Sequence, residues 1–125
     1  MRLLLDTRIF LWIADDSPRL NPKARELIDS ASIVYVSSAT IWEAAVKAYI
    51  GKLIVDPDKL LQEIDNCGFQ ELPVLGRHAV GVARLPLIHN DPFDRLLVAQ
   101  AITEPMHLLT ADARLAGYSD LVITI

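Results

Sequence analysis

Short apolar segments that favour β-strands alternate along this chain with segments that favour helices. Strands are predicted at RLLL (2–5), IVYV (33–36), FQEL (69–72), HLLT (107–110) and LVITI (121–125). Between them, helices are predicted at IFLWIA (9–14), 22–30, ATIWEAAVKAYIGK (39–52), 57–66, 76–84 and 94–103. Because strands that alternate with helices form βαβ units, we predict an α/β fold with a mainly parallel central sheet and helices on both faces.

Capping residues mark where some of these helices begin and end. Asn21 followed by Pro22 is typical of a helix N-terminus, and Ser37 or Ser38 can cap the long helix after the second strand. Gly51 is predicted to end that long helix, because glycine readily adopts the left-handed conformation that follows many helices.

The size and charge of the chain limit the classes of protein to which it can belong. At 125 residues and 52% hydrophobic content, it is long enough for one domain with a hydrophobic core, which we place at residues 1–125. Its formal net charge of −4 excludes a general basic field that would attract nucleic acid or anionic lipid. A polyanionic substrate would therefore have to be met by local cations or by a metal.

The cellular compartment is predicted from cysteine content and apolar runs. Cys67 is the only cysteine, which excludes an internal disulfide and fits a reducing compartment. Asp6 interrupts the apolar run after Met1 and Arg2, so no secretion signal is predicted. The longest apolar runs fall well short of the ~20 residues that cross a bilayer. We therefore expect a soluble, cytoplasmic protein without a membrane partner.

Four acidic residues lie near the positions where parallel α/β sheets bind ligands. Asp6 directly ends the first predicted strand, Glu43 lies early in the helix after the second, and Asp112 follows HLLT by two residues. Asp94 opens the helix that precedes HLLT, so topology alone does not determine its place. Since ligands gather beyond the carboxyl ends of parallel strands, these acids are candidate site residues.

Each of these acids also has a purely structural interpretation. Asp6 can cap the helix after the first strand, and Asp112 can cap ARLAG (113–117). Glu43 and Lys47 have the i, i+4 spacing of a favourable surface ion pair, and taken alone this pair explains Glu43 better than a site does.

The stretch DPFDR (91–95) shows the same ambiguity. Asp91 as N-cap, Pro92 at the first helical position and Asp94 at the third make a good helix start without any function. A cap uses Asp91 fully, whereas Asp94 projects from the first turn and can cap or point elsewhere.

As a set, the four acids match the ligands that a hard divalent cation prefers. Carboxylate and water ligands suit Mg²⁺ or Mn²⁺. The scattered His78, His89 and His107 give no zinc-binding spacing, and we interpret all three as structural or surface residues.

Four motifs follow one another along the chain: LLLDT (3–7), SATIWEAAVK (38–47), HNDPFDRLLVAQA (89–101) and LLTAD (108–112). In order and approximate spacing they resemble the PIN-domain ribonucleases, in particular the VapC-like toxins of prokaryotic toxin–antitoxin pairs. The resemblance covers almost the whole chain. It implies a PIN-like three-layer α/β/α sandwich.

The resemblance also implies roles for individual residues. It assigns the family's catalytic, metal-binding acidic quartet to Asp6, Glu43, Asp94 and Asp112. Thr110 falls where the family often has a supporting Ser or Thr, and in many relatives an aromatic residue stands near the place of Leu115.

The remaining residues of DPFDR receive supporting roles. Asp91 belongs to the motif and is assigned to the helix cap or an outer shell, which leaves Asp94 as the ligand. Arg95 has two interpretations, an ion-pair clamp on neighbouring carboxylates or a phosphate contact. We favour the clamp, because Arg95 immediately follows the acid.

The function implied by the resemblance is that of a metal-dependent endoribonuclease that cleaves cellular RNA and is paired with a small antitoxin. A homodimer is implied as well. One or two Mg²⁺ ions, or Mn²⁺, would screen the repulsion between acids and phosphate and activate a water. Arg8, Lys47 and Arg95 lie closest to the quartet in sequence and are candidate phosphate contacts. Because IFLWIA and TIWEAAVKAYI are apolar around most of their circumference, we expect the antitoxin to cover a groove near Trp12 and Trp42.

Two other functional classes are compatible with some of these features. A non-enzymatic metal-binding interaction domain of PIN-like fold would use the quartet only to hold structure or a partner. A phosphoaspartyl phosphatase also has an aspartate after its first strand, but its second acid lies two residues on, where this chain has Arg8. The presence of all four acids at their motif positions favours the nuclease.

Overall fold

All five strands lie in one parallel sheet. A computed structural model describes residues 1–125, and its strands are β1 (Arg2–Leu5), β2 (Ile33–Ser37), β3 (Gln70–Leu72), β4 (His107–Thr110) and β5 (Val122–Thr124). The strand order is β3-β2-β1-β4-β5, and every neighbouring pair runs parallel. The predicted parallel sheet is confirmed, with β1 at its centre.

Helices connect these strands. The α-helices are α1 (Thr7–Ala14), α2 (Pro22–Ser30), α3 (Ser38–Tyr49), α4 (Pro57–Asn66), α5 (Gly76–Val82) and α6 (Pro92–Thr103), and a 3-10 helix spans Ala113–Tyr118. Helices α1 and α6 each begin two residues before the predicted start, because the aspartate that precedes each of them acts as its cap. None of the helices is both long and apolar enough to span a bilayer.

The alternation of side chains along β1 divides the core between the two faces of the sheet. Leu3 and Leu5 belong to a cluster that includes Phe10 of α1, whereas Leu4 packs with Leu97 of α6. All three leucines of β1 are fully buried. A strand covered on both faces favours apolar residues at successive positions, which explains the uninterrupted run LLL (3–5) and confirms the predicted α/β/α arrangement.

Caps determine where α3 begins and ends. Ser37 rather than Ser38 is the N-cap, since its hydroxyl accepts a 3.0 Å hydrogen bond from the amide of Ala39. Gly51 adopts a φ of 78° just beyond the helix, as predicted. Helix α3 therefore starts directly at the carboxyl end of β2, and this places Glu43 in its second turn.

The carboxyl ends of β1, β2 and β4 meet at one edge of the sheet. Leu5 pairs with Val36 on one side and with Leu109 on the other. The amide of Asp6 then donates a 3.0 Å hydrogen bond to the carbonyl of Leu109. Asp6 and Thr110 consequently lie next to each other at the ends of two adjacent strands.

The two tryptophans lie in different environments. Trp12 is partly buried against the core, whereas Trp42 is 60% exposed and its ring packs edge-on against Phe93 at 5.0 Å between centroids. Val46 and Tyr49 are exposed on the same helix. Helix α3 therefore presents an apolar stripe, defined by Trp42, Val46 and Tyr49.

Candidate functional site

A cavity of about 240 Å³ lies at the carboxyl edge of the sheet and contains all four predicted acids. Its charged lining consists of five acidic and three basic residues: Asp6, Glu43, Asp91, Asp94, Asp112, Arg8, Lys47 and Lys52. The fold thus brings into one negatively charged cavity residues that are more than a hundred positions apart in the sequence.

Asp6 is held by a hydrogen bond to each of its carboxylate oxygens. Oδ1 accepts from the amide of Ile9 at 2.9 Å, which confirms Asp6 as the cap of α1, and Oδ2 accepts from the hydroxyl of Thr110. Burial raises the pKa of Asp6 to about 6, although both hydrogen bonds act to lower it. Asp6 therefore caps a helix and lines the cavity at the same time.

Thr110 connects two of the acids. Its hydroxyl donates to Asp6 and also accepts a 3.0 Å hydrogen bond from the amide of Asp112. Because the Thr110 side chain is fully buried, its orientation is fixed by these two contacts. This geometry agrees with the supporting role expected of Thr110.

Glu43 is buried in the same cavity, with only 4% of its surface exposed. Its Oε1 accepts from the hydroxyl of Thr7 at 2.7 Å, and its Oε2 accepts from Nζ of Lys47 at 2.6 Å. The predicted i, i+4 pair with Lys47 is present. Its interpretation as a surface pair is wrong, because the cavity rather than solvent surrounds the carboxylate.

Asp91 and Asp94 have different partners. Oδ1 of Asp91 accepts from the amides of Phe93 and Asp94 at 2.8 and 3.2 Å, which confirms the predicted cap of α6. The carboxylate of Asp94 lies 2.9 Å from Nε2 of His89 instead. Burial raises the pKa of Asp94, and the nearby charges of Asp91 and Glu43 raise it further, against the lowering effect of the His89 hydrogen bond.

Asp112 faces an arginine on its solvent side. Nη2 of Arg114 donates to Oδ2 at 2.8 Å and Nε donates to Oδ1 at 3.0 Å. These bonds hold the pKa of Asp112 down to about 2. The amide of Arg114 also donates to Oδ1, so Asp112 caps the 3-10 helix as predicted.

Sequence reasoning missed His89 and Arg114. Possible ligand atoms of His89, Asp94 and Asp112 all lie within 4.8 Å of one another, so His89 adjoins the acids, a place that its interpretation as a structural or surface residue did not predict. The position of His89 in the sequence could have revealed this, because His89 lies two residues before Asp91 in the motif that contains Asp94. The spacing between histidines could not. The structural interpretation does hold for His78, which is fully buried and does not line the cavity.

Arg95 binds no carboxylate, so the predicted ion-pair clamp is wrong. Its guanidinium donates to the carbonyls of Val82, Leu85 and Pro86 and to the hydroxyl of Tyr118, over distances of 2.9 to 3.5 Å. Arg95 does not line the cavity, and this also removes the support for a phosphate contact. Arg95 contacts these carbonyls because the course of the loop brings them close to its guanidinium. No charge pattern in the sequence predicts that course.

The donor set of the cavity fits a hard divalent cation. Carboxylate oxygens are the ligands that Mg²⁺ and Mn²⁺ prefer, and the cavity gathers Asp6, Glu43, Asp94 and Asp112. Burial and mutual repulsion raise the pKa of Asp6 and of Asp94, so a bound cation would relieve a real electrostatic cost. The four acids are the residues that would hold such an ion, with His89 beside two of them.

Fold and site together define a class of protein. A family model for the PIN domain matches residues 3–121, and the chain belongs to the PIN domain family. The resemblance inferred from the four motifs is confirmed. PIN domains are generally metal-dependent nucleases, in agreement with the donor set of the cavity.

Three solved structures share this fold. VapBC2 from Rickettsia felis, bound to a DNA fragment from its promoter, is 16% identical with a TM-score of 0.67, over 100% of this chain and 98% of that one. A toxin–antitoxin complex from Klebsiella pneumoniae is 17% identical with a TM-score of 0.68, over 98% and 96%. FitAcB from Neisseria gonorrhoeae is 19% identical with a TM-score of 0.67, also over 98% and 96%. No curated protein sequence matches the chain.

Replacing Asp6 with asparagine is expected to stabilise the metal-free protein at neutral pH. Folding raises the pKa of Asp6 from 3.8 to about 6, so its favourable contribution is complete below the lower value and is lost as pH rises through the higher one. At pH 7.5, Asp6→Asn should raise the free energy of unfolding by up to about 3 kcal/mol. Urea unfolding in EDTA measures this change.

The gain should shrink at pH 4.5, where the buried carboxyl group of Asp6 is already largely protonated. Asp56→Asn is a matched control, because Asp56 caps α4 from an exposed position and asparagine caps nearly as well. An equal gain from Asp6→Asn at both pH values would contradict the electrostatic explanation.

Proposed function

We propose that this chain is a metal-dependent endoribonuclease, formed by one PIN domain, that cleaves cellular RNA as the toxin of a toxin–antitoxin pair. The observation that carries the proposal is the cavity in which Asp6, Glu43, Asp94 and Asp112 converge. Membership of the PIN domain family supports nuclease chemistry. The shared fold with proteins solved in toxin–antitoxin complexes supports the toxin role.

The four acids are proposed to bind Mg²⁺ or Mn²⁺. When bound, such a cation screens the charge of the phosphate, activates a water for in-line attack and stabilises the leaving oxygen. The chain's own hydroxyl groups keep the ligands in place, since Thr110 donates to Asp6 and Thr7 donates to Glu43. Because hydroxyl groups carry no charge, these bonds orient the two carboxylates without cancelling the charge that attracts the cation.

Three basic residues at the cavity are proposed to contact the phosphates of RNA. Arg8, Lys47 and Lys52 all line it, so Lys52 takes the place that sequence reasoning gave to Arg95. Lys47 is paired with Glu43, yet 43% of its side chain is exposed and accessible to a substrate. In a chain of net charge −4, local cations of this kind provide the attraction that overall charge does not.

Asp94→Asn is expected to abolish RNA cleavage while leaving the fold intact. The change removes the charge of a proposed ligand at constant shape, and the amide oxygen can still accept from His89. Asp91→Asn is the matched control, because asparagine caps α6 nearly as well as aspartate and should retain most of the activity.

Cleavage of a labelled RNA and a thermal melt on each variant measure the two effects separately. If Asp91→Asn were inactive and Asp94→Asn active, with both folded, the division of roles between these residues would be wrong.

Metal removal provides an independent test. EDTA should stop cleavage, and Mg²⁺ or Mn²⁺ should restore it, because the converging carboxylates repel phosphate when no cation is bound. Undiminished cleavage after verified removal of metal would exclude the proposed mechanism. A folded protein that binds Mn²⁺ but cuts no RNA would instead favour a non-enzymatic metal-binding domain.

The proposed toxin role brings further partners and a location. We propose that a small antitoxin covers the apolar stripe of α3, which includes Trp42. We also propose a homodimer, which would bury apolar residues exposed outside this stripe, such as Ile54 or Leu87. A toxin that cleaves cellular RNA acts in the cytoplasm, and the free thiol of Cys67 is compatible with that compartment.

Trp42→Ser is expected to weaken antitoxin binding strongly while preserving cleavage. Buried interface tryptophans commonly contribute about 2 kcal/mol or more, which corresponds to roughly a thirtyfold loss of affinity. Because Trp42 is 60% exposed in the free chain, its loss should change the melting temperature little. Pull-down with the product of the small open reading frame expected next to this gene, beside a nuclease assay, measures both effects.

Val80→Ser is a suitable control, since Val80 is 57% exposed on a different helix, α5. Trp12 is a poor choice, because it packs against the core and its replacement would lower stability. Full antitoxin affinity in a folded Trp42→Ser variant would remove this residue from the proposed surface.

A further inference from the structure

Arg95 fastens the loop that leads from α5 into α6. Nη1 donates to the carbonyl of Pro86 at 2.9 Å, and Nη2 donates to the carbonyls of Val82 and Leu85 at 3.3 and 3.5 Å. Leu85 packs against the core, whereas Leu87 is 86% exposed. The guanidinium therefore adds a polar attachment of the loop to the first turn of α6.

Tyr118 extends this attachment to His89. Its hydroxyl accepts from Nη1 of Arg95 at 3.1 Å and donates to the backbone carbonyl of His89, also at 3.1 Å. The guanidinium carbon lies 5.8 Å from the centre of the tyrosine ring, close enough for a cation–π contact. Tyr118 ends the 3-10 helix that Asp112 caps, so one hydroxyl group joins the loop, α6 and the helix that follows the last acid.

The imidazole of His89 reaches the acidic site from this loop. Its side chain is only 9% exposed, and Nε2 lies 2.9 Å from Oδ2 of Asp94. A carboxylate has no hydrogen to give, so Nε2–H is the donor. This bond engages one oxygen of Asp94 and leaves the other, Oδ1, without a donor from the protein.

We propose that Arg95 and Tyr118 form a brace that holds His89 in place, and that His89 is a positioning residue that orients the carboxylate of Asp94 toward the cation. This inference rests on the proposed metal-dependent function. It assigns to Arg95 a role through the loop backbone, in place of contact with a carboxylate or a phosphate. Side chains that orient metal ligands in this way typically change metal affinity or activity by about 10- to 100-fold when removed.

Two replacements of His89 separate positioning from direct ligation. Glutamine can place an N–H group near the position of Nε2 and can still donate to Asp94, but it cannot supply an imidazole nitrogen. His89→Ala removes the donor altogether. Calorimetric titration of the metal-free protein with Mn²⁺ should show a loss of about tenfold or more for His89→Ala. His89→Gln should keep most of the wild-type affinity.

The brace is tested by Tyr118→Phe, which keeps the ring and removes the hydroxyl group. Loss of the hydrogen bond to the His89 carbonyl should weaken Mn²⁺ binding by about two- to tenfold. Tyr35→Phe is the matched control, because Tyr35 packs against the core from β2 and lies outside both the cavity and the apolar stripe. His107→Ala is the matched control for His89, because His107 begins β4 at the opposite end of the strand from the site. Both controls should bind Mn²⁺ like the wild type, and thermal melts should show all variants folded.

The ¹⁵N spectrum of the histidines reports on the brace without metal. The metal-free wild type should show His89 with a proton on Nε2, and Tyr118→Phe should broaden or shift that signal. Wild-type Mn²⁺ affinity in folded His89→Ala would overturn the inference. An equal loss in His89→Ala and His89→Gln would overturn it too, in favour of direct nitrogen ligation. If neither the wild type nor any variant cleaves RNA while the spectra and the Mn²⁺ affinities follow the expected pattern, the brace is supported and the proposed ribonuclease function is contradicted.

Discussion

The buried carboxylate of Asp6 at the end of the central strand is the feature on which the rest of the site depends. Its amide continues the pairing of β1 with β4, and its side chain caps α1 and accepts from Thr110. A charge in this position is costly, and burial accordingly raises the pKa of Asp6 to about 6. The strand, the helix and the neighbouring strand together hold this residue where a cation would relieve the cost.

Hydroxyl groups hold the inner part of the site. The hydroxyl of Thr7 donates to Glu43 and lies 3.1 Å from the hydroxyl of Thr40, and the hydroxyl of Thr110 donates to Asp6. Each bond fixes the direction of a carboxylate without neutralising it, unlike a bond from arginine or lysine. The negative charge of the inner acids is therefore available to a ligand, with the partial exception of the contact between Glu43 and Lys47.

The outer part of the site is built differently. The side chains of Asp94 and Asp112 are each about one-fifth exposed. Their partners are the imidazole of His89 and the guanidinium of Arg114. Arg114 is 67% exposed and makes its contact from the solvent side. The buried acids thus accept from uncharged hydroxyl groups, whereas the more exposed acids are held by His89 and Arg114.

The sequence by itself determined the parallel α/β fold and the capped helices, because strand and helix periodicity and capping are local properties. The order of elements also predicted Asp6, Glu43 and Asp112 near the carboxyl edge of the sheet, whereas a place for Asp94 beside them was implied only by the resemblance of the four motifs. The sequence did not reveal that Glu43 would be buried or that His89 would join the acids. Only the tertiary structure decided these points, since they depend on how α3 packs and how the loop between α5 and α6 is fastened. The contacts of Arg95 with backbone carbonyls and with Tyr118 illustrate the reason. A loop has no periodicity that predicts its conformation, so its course depends on contacts with residues distant in sequence. That course determines which groups each side chain of the loop can contact.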